Sequence, residues 1–425
     1  MLTICVGWWP FKMPQLRYTG NMAMFGNRSR REGSHKKLDR FIRFLHLSFL
    51  PSHAPPPPPP PPPSKMRRQL GQAHSPAALL AALFCLRILP ALAAAADLGN
   101  LEPPSAPTLE PLLAVTERSG RVVTVRKDGT GDFRTITDAV KSIPSGNTAR
   151  TVIKIGPGVY REKILVDRSR PYVTFYGQPG AMPTISFDGT AARYGTANSA
   201  TVAVESSYFV ASNVIFENTA PMPSDGVQGA QAVAMRISGD MAAFYNCKFY
   251  GYQDTLCDDT GRHFFKNCFI RGTVDFIFGN GRSIYQVLYS LLLPLCCTLN
   301  VADNVAYITA QARSNPSDKS GFSFIHCNIT GTGNAFLSRA WREMSRVVFS
   351  YTHMGRLIDP RGWDNKGVAG RNRTVYFGEY KCLGPGAVTD GRVNYARLLN
   401  DKQARPFLTM DFIQAQSWLL PPPAV

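Results

Sequence analysis

Two aspartates carry the strongest chemical signal in this sequence. Asp254 lies in Gly251-Tyr252-Gln253-Asp254-Thr255-Leu256, and Asp275 lies 21 residues on, in Val274-Asp275-Phe276-Ile277-Phe278-Gly279. An acid inside a run as apolar as Val-Asp-Phe-Ile-Phe is costly to bury unless a cation pairs with it. Arg339 is a candidate for that cation. Two carboxylates held close together repel, so one keeps a proton while the other stays ionised. A general acid beside a nucleophile needs that division of roles. The plainer reading makes both aspartates turn residues.

The spacing of 21 matters because it matches a repeat. Phe244-Tyr245-Asn246-Cys247-Lys248-Phe249-Tyr250-Gly251 resembles Phe265-Lys266-Asn267-Cys268-Phe269-Ile270-Arg271-Gly272. The same template recurs at Phe324–Gly331 and at Val348–Gly355. Neighbouring copies are 21 and 24 residues apart. A period in the twenties, with strand-forming runs in each unit, predicts a parallel β-helix solenoid. Successive coils of such a solenoid stack ~4.8 Å apart. Asp254 and Asp275 then occupy equivalent places on adjacent coils, and the repeated Cys positions form an inward ladder.

The wider texture agrees. From Arg118 onward, short β-branched runs recur: Val122–Val125, Thr151–Ile155, Tyr172–Tyr176, Ala200–Val204, Phe209–Ala211. Gly, Asn, Asp and Pro separate them, and only Ile136–Ser142 reads as helix, so the fold class is all-β. The adjacent acids Asp258 and Asp259 read as turn residues.

Composition narrows the function. The chain has 425 residues, 44% of them apolar and 18% charged, enough to build a core. Its net charge of +18 is lopsided: residues 1–96 hold +11 and the remainder only +7. That remainder suits an acidic polymer as partner. Zinc-finger spacing, RNA-binding aromatic signatures and a P-loop are absent from the sequence, so nucleic-acid and nucleotide chemistry are not indicated. Nine cysteines without a CxxC pair are too few for a disulfide scaffold and do not read as a zinc ribbon.

Residues 1–65 read as a non-native or disordered extension that ends in nine consecutive prolines, Pro55 to Pro63. Residues 66–96 read as a secretory signal peptide: Arg67 and Arg68, then an Ala/Leu-rich run, then small residues. The mature chain is expected to begin near residues 94–97, with a linker over 97–117, the β-helix domain over 118–420 and a tail over 421–425. One stretch breaks the template. Ile284-Tyr285-Gln286 is followed by Val287–Cys296, an apolar run, before Cys297-Thr298-Leu299. Removing residues 287–296 restores an Ile-Tyr-Gln-Cys-Thr-Leu match, so this stretch reads as an insertion or a splicing artefact. Its deletion is expected to raise stability, because a solvated loop would not choose Leu291, Leu292, Leu293 and Leu295.

Five segments together carry a resemblance. Gly158–Glu162, Gln231–Arg236, Gly251–Leu256, Asp275–Gly279 and Leu337-Ser338-Arg339-Ala340-Trp341 resemble, in order and separation, the five signature stretches of plant pectinesterases. The match runs from about Val122 to Trp418. The resemblance implies a single-stranded right-handed parallel β-helix, in a form without the inhibitor-like pro-domain. It implies removal of methyl esters from homogalacturonan by a secreted, monomeric enzyme of the plant cell wall. Neither a metal nor an organic cofactor is implied, nor nucleic acid, nor a membrane for the mature form. A proteinaceous inhibitor is an implied partner.

By the same resemblance, Asp275 is the nucleophile and Asp254 the general acid and base. Gln231 and Gln253 donate to the oxyanion, Arg339 orients the nucleophile, and Trp341 is a sugar-stacking platform. Thr201 and Phe278 are further substrate contacts. The fifth stretch departs from the family's Leu-Gly-Arg-Pro-Trp, with Ser338 in place of Gly and Ala340 in place of Pro. The Gly is a place where a positive φ would matter. A catalytically impaired polyuronide-binding wall protein is therefore the alternative, with pectate lyase or polygalacturonase as the other β-helix activities. Cys257 and Cys268 are 11 residues apart, and secretion would permit a bridge between them; Cys257 as an unbridged thiol near the acid is the alternative. Asn328-Ile329-Thr330 and Asn372-Arg373-Thr374 are glycosylation sequons, with Asn372 the more accessible in this reading.

Overall fold

A computed structural model of the chain describes residues 111–118, 120–224, 226–286 and 297–421. The readings of residues 1–65, 66–96 and 287–296 lie outside the described residues. Short β-branched runs bounded by turn residues cannot bury a face alone, so they stack. Every pairing between named strands is parallel, from Arg121–Val125 on Thr151–Ile155 to Tyr376–Tyr380 on Ala396–Leu398. One face is an 11-stranded sheet, and the other strands form a 14-stranded sheet that is folded into two faces. The strand Thr298–Gln311 joins those two. Its first part pairs with Phe269–Gly272 and its last part with Ile277–Gly279. The result is the expected parallel β-helix, wound as a three-sided coil.

Side chains alternate inward and outward along each strand. The inward ones include a ring ladder, Phe244–Phe265–Tyr285–Phe324–Phe349, with centroids 4.5–4.7 Å apart. Cys247, Cys268, Cys297 and Cys327 form the expected inward ladder. The residue before the Cys takes a positive φ: 50° at Asn246, 55° at Asn267 and 56° at His326. Asn tolerates that left-handed turn better than most residues, which explains its recurrence in the template.

Two elements depart from expectation. The helix Pro111–Arg118 begins in the segment read as linker (97–117), ends at the first residue of the domain, and packs Leu113 against the outer face of the 11-stranded sheet. A second helix, Asp401–Leu408, carries an Asn400 capping box. With Phe412, Ile413 and Trp418 it covers the same outer face. Strands of that sheet are thus buried on both sides, as Gly321–Ile325 is throughout. Asp258 is likewise no turn residue: it ends the strand Leu256–Asp258, fully buried.

Register corrects the size of the insertion. Gln286 pairs with Lys266 and Thr298 with Phe269. Between those partners the previous coil has two residues, Asn267 and Cys268, and the second is matched by Cys297. One residue must therefore remain opposite Asn267. Removing all of 287–296 would leave the coil one residue short, and a slip of one reverses inward and outward faces. We expect that replacing residues 287–296 by a single Asn raises the melting temperature and soluble yield. The deletion that leaves no residue in the turn should melt lower than that replacement. A thermal melt of both variants beside the parent checks this, and equal melting of the two would contradict the register.

Candidate active site

Strand pairing fixes the aspartates before any side chain is considered. Leu256 pairs with Ile277, and Ile277 with Thr309. Asp254, Asp275 and Tyr307 each precede these by two residues, so the three occupy one place on three successive coils. The Asp254 amide donates to the Val274 carbonyl at 3.0 Å, tying one coil to the next. Both aspartates take left-handed backbone conformations, φ 65° at Asp254 and 52° at Asp275. Such conformations cost about 1 kcal/mol or more each and persist only where packing imposes them. Here Thr255, fully buried, anchors the turn by donating to the Arg271 carbonyl at 2.9 Å.

Both carboxyls are nearly buried, Asp254 at 8% exposure and Asp275 at 5%. Arg339 clamps Asp275 with two hydrogen bonds, Nε to Oδ1 at 2.6 Å and Nη2 to Oδ2. Its guanidinium in turn lies over the rings of Tyr307 and Trp341, at 4.8 and 5.4 Å from their centroids. Burial, and then the charge of Asp275, push the Asp254 carboxyl well above the usual carboxylate range, against the pull of Arg339. Burial pushes Asp275 up as well, but the charge and hydrogen bonds of Arg339 and the charge of Lys366 oppose it. Asp254 carries the larger shift. The pair therefore holds its proton on Asp254 and leaves Asp275 ionised.

Around the pair, Gln231 and Gln253 sit on adjacent coils, half-buried, where the Ala232 amide donates to the Gln253 carbonyl at 3.1 Å. Phe278 lies outward on the same sheet and packs over Ala200, Ala203, Val233 and Cys257. Trp341 is half-buried, with the Arg339 guanidinium over its ring. Ser338 and Ala340 are both fully buried, and Ser338 is not among the positive-φ residues, so the replaced Gly leaves no strain. The Ala340 amide donates to Asp364 at 2.8 Å, which keeps Arg339 aimed.

Two expectations are not met. Thr201 is fully buried and its hydroxyl donates to the Glu217 carbonyl at 2.8 Å, so it is not free to contact substrate. No disulfide joins Cys257 to Cys268. They point to opposite sides of the sheet wall: Cys268 lies in the inner core and Cys257 under Phe278 outside it. The sequons are both partly exposed and engaged, Asn328 with His353 at 3.2 Å and Asn372 with Asn365 at 2.9 Å.

Sequence reasoning missed two residues. Tyr307 was findable, since Tyr307-Ile308-Thr309 falls on the ladder one coil after Asp275-Phe276-Ile277. Burial and a hydrogen bond to Asp364 push its hydroxyl up to about 12. Lys366 follows the last strand of this face, Trp363–Asp364, in a turn with no periodic signal.

Comparison with known proteins fits this geometry. The family model "Pectinesterase" matches residues 122–416. The chain belongs to the pectinesterase family. A family member from Arabidopsis thaliana is 52% identical over 317 residues, 73% of this chain and 91% of its own length. Pectinesterase 2 of Olea europaea is 46% identical over 319 residues, 75% of this chain and 85% of its own. The structure of pectin methylesterase from carrot superposes with a TM-score of 0.64 at 34% identity, covering 70% of this chain and 94% of the carrot chain. A pectin methylesterase solved with a bound hexasaccharide gives a TM-score of 0.60 at 27% identity, covering 70% and 98%. The right-handed handedness of the family's β-helix applies to this pectinesterase-family chain as well.

Proposed function

We propose that the chain hydrolyses methyl esters of homogalacturonan through Asp275 and Asp254. The observation that carries this reading is one buried carboxylate clamped by Arg339 on the coil next to a second buried carboxyl, whose proton affinity burial and the charge of Asp275 raise. An Asp275 oxygen attacks the ester carbonyl carbon, and the carbonyl oxygen becomes an oxyanion. The amides of Gln231 and Gln253 stabilise it; losing one such donor typically costs about 3 kcal/mol. When the intermediate collapses, the C–O bond to the methoxy group breaks and Asp254 gives that oxygen its proton, releasing methanol. The galacturonate acyl group is now an anhydride on Asp275. Asp254, deprotonated, takes a proton from water as the water attacks this acyl carbon. The anhydride opens to a free galacturonic acid, which gives its remaining proton to solvent, while Asp275 returns as carboxylate and Asp254 is again protonated. No step calls for a metal or an organic cofactor.

The positive balance of the domain favours an anionic polysaccharide, and Trp341 and Phe278 supply apolar surface for sugar rings. Kinship with plant pectinesterases fits an enzyme of the plant cell wall; secretion, and glycosylation at Asn372, rest on the sequence pattern alone. A monomer, held in check by an inhibitor protein, completes this reading. Purified protein should release methanol from esterified pectin without lowering its viscosity. A fall in viscosity without methanol would indicate lyase or polygalacturonase chemistry. Binding without either would indicate a catalytically impaired, polyuronide-binding protein.

A further inference from the structure

The face of Trp341 is already covered. The Lys366 ammonium lies 3.1 Å from the ring centroid. A sugar ring that stacks on an indole needs a bare face, so this platform offers a cation where apolar contact was expected. Lys366 is placed firmly. It takes a left-handed conformation, φ 59°, and its backbone amide donates to Asp364 Oδ1 at 2.7 Å. Asp364 also accepts from Tyr307, and its carbonyl holds the Ala340 amide between Arg339 and Trp341. One acid thus sets the turn of Lys366 and the aim of the Asp275 clamp.

The surroundings are cationic. Arg339 spends its guanidinium on Asp275, and Arg371 is pinned by a hydrogen bond to the Ala340 carbonyl at 2.7 Å and by Glu343 at 3.6 Å. The Lys366 ammonium lies against an aromatic face and forms no close ion pair among the described residues, although it feels the charge of Asp275. Burial, then the charge of Arg339, with Arg371 and Arg342 beyond it, pull its pKa down to about 8, against the attraction of Asp275. It still carries its charge at neutral and acidic pH. A half-buried ammonium in that setting gains most from an incoming anion.

We propose that Lys366 makes the Trp341 subsite select a free galacturonate carboxylate, rather than a methyl ester, on a unit next to the one being hydrolysed. This rests on the proposed esterase reading, because it assigns the ligand of the same site. An esterified unit offers no charge to the ammonium and must compete with it for the indole face. A de-esterified unit pairs with the ammonium and leaves the cation–π contact in place.

The test is calorimetric titration of the full chain carrying Asp275→Asn, so that no ester is hydrolysed during the measurement, with two oligogalacturonides of one length, one unesterified and one fully methyl-esterified. The readout is the ratio of the two affinities. Lys366→Gln should lower the preference for the unesterified oligomer by about tenfold, the factor that corresponds to 1.4 kcal/mol. Lys366→Arg should keep most of it, because the charge and the stacking on Trp341 survive. If Lys366→Gln weakens both oligomers equally, Lys366 merely fastens Trp341 and the proposal is wrong. An unchanged ratio overturns it as well. Methanol release by the unaltered protein from fully esterified pectin is scored separately. Its absence would count against the esterase reading and leave the affinity ratio to decide the role of Lys366.

Discussion

Asp275→Asn is expected to lower methanol release by about 10⁴-fold or more while the fold survives, since removing a covalent nucleophile has effects of that order. The choice of Asn is physical. Asn tolerates the positive φ of 52° at this position better than most residues, and its side-chain oxygen can still accept from Arg339 Nε. Ala would leave the guanidinium of Arg339 facing an empty, dry site. Asp275→Asn therefore isolates the chemistry from the architecture. Circular dichroism and a thermal melt should show a folded β-helix. Substrate saturation should not restore turnover, because what is lost is the bond-forming oxygen rather than binding. A purified variant with near-normal turnover at saturating pectin would remove Asp275 from the mechanism. Asp254→Asn should also be severely impaired, as the amide can neither donate a carboxyl proton nor act as base toward water.

How far the sequence alone reached follows from what repeats in it. The ladder residues were legible because each coil presents the same demand: an inward ring, a left-handed turn that Asn meets, and a buried Cys. Asp254 and Asp275 were legible for the same reason, being two acids in one template position. Arg339 followed from electrostatics, since a buried acid calls for a cation. What escaped were features set by more than one coil. Thr201 carries no mark that its hydroxyl turns inward to Glu217. The side of the wall on which each thiol lies depends on strand parity, so Cys257 and Cys268 were paired by sequence distance although they face opposite ways. Lys366 sits in a turn, where the period gives no information. The helix Asp401–Leu408 was missed because its apolar residues answer to the outer face of a sheet assembled from strands up to about 240 residues away. The count at residues 287–296 was off by one because matching Cys to Cys ignored the pairing of Gln286 with Lys266.

The second large effect concerns stability and comes from inside the coil. His263 and Asp258 are both fully buried, with His263 Nδ1 2.5 Å from Asp258 Oδ1 and Nε2 2.9 Å from the Gly239 carbonyl. Both neighbours are acceptors, so both ring nitrogens donate and the imidazole is a cation. Tyr285 donates to the other Asp258 oxygen at 2.6 Å. The site tolerates nothing larger at Gly281, where a Cβ would stand 1.9 Å from Asp258 Oδ1. Removing one member of such a buried pair leaves the other charged and unpaired, at a cost of about 3–5 kcal/mol. For a β-helix of roughly 300 residues, His263→Ala should lower the melting temperature by roughly 5–8 °C. Burial opposes the charged imidazole, but the charge and hydrogen bond of Asp258, the Gly239 carbonyl and Asp240 outweigh it and raise the His263 pKa above 6.5. Its contribution is therefore complete below about 6.5, the ordinary histidine value, and is lost as pH rises through the folded-state value. Melting temperature should fall across that upper window in the parent protein. In His263→Ala that part of the pH dependence should vanish, so the gap between the two narrows as pH rises. A gap that stays constant from acidic to alkaline pH would mean that His263 is not a cation in the folded chain.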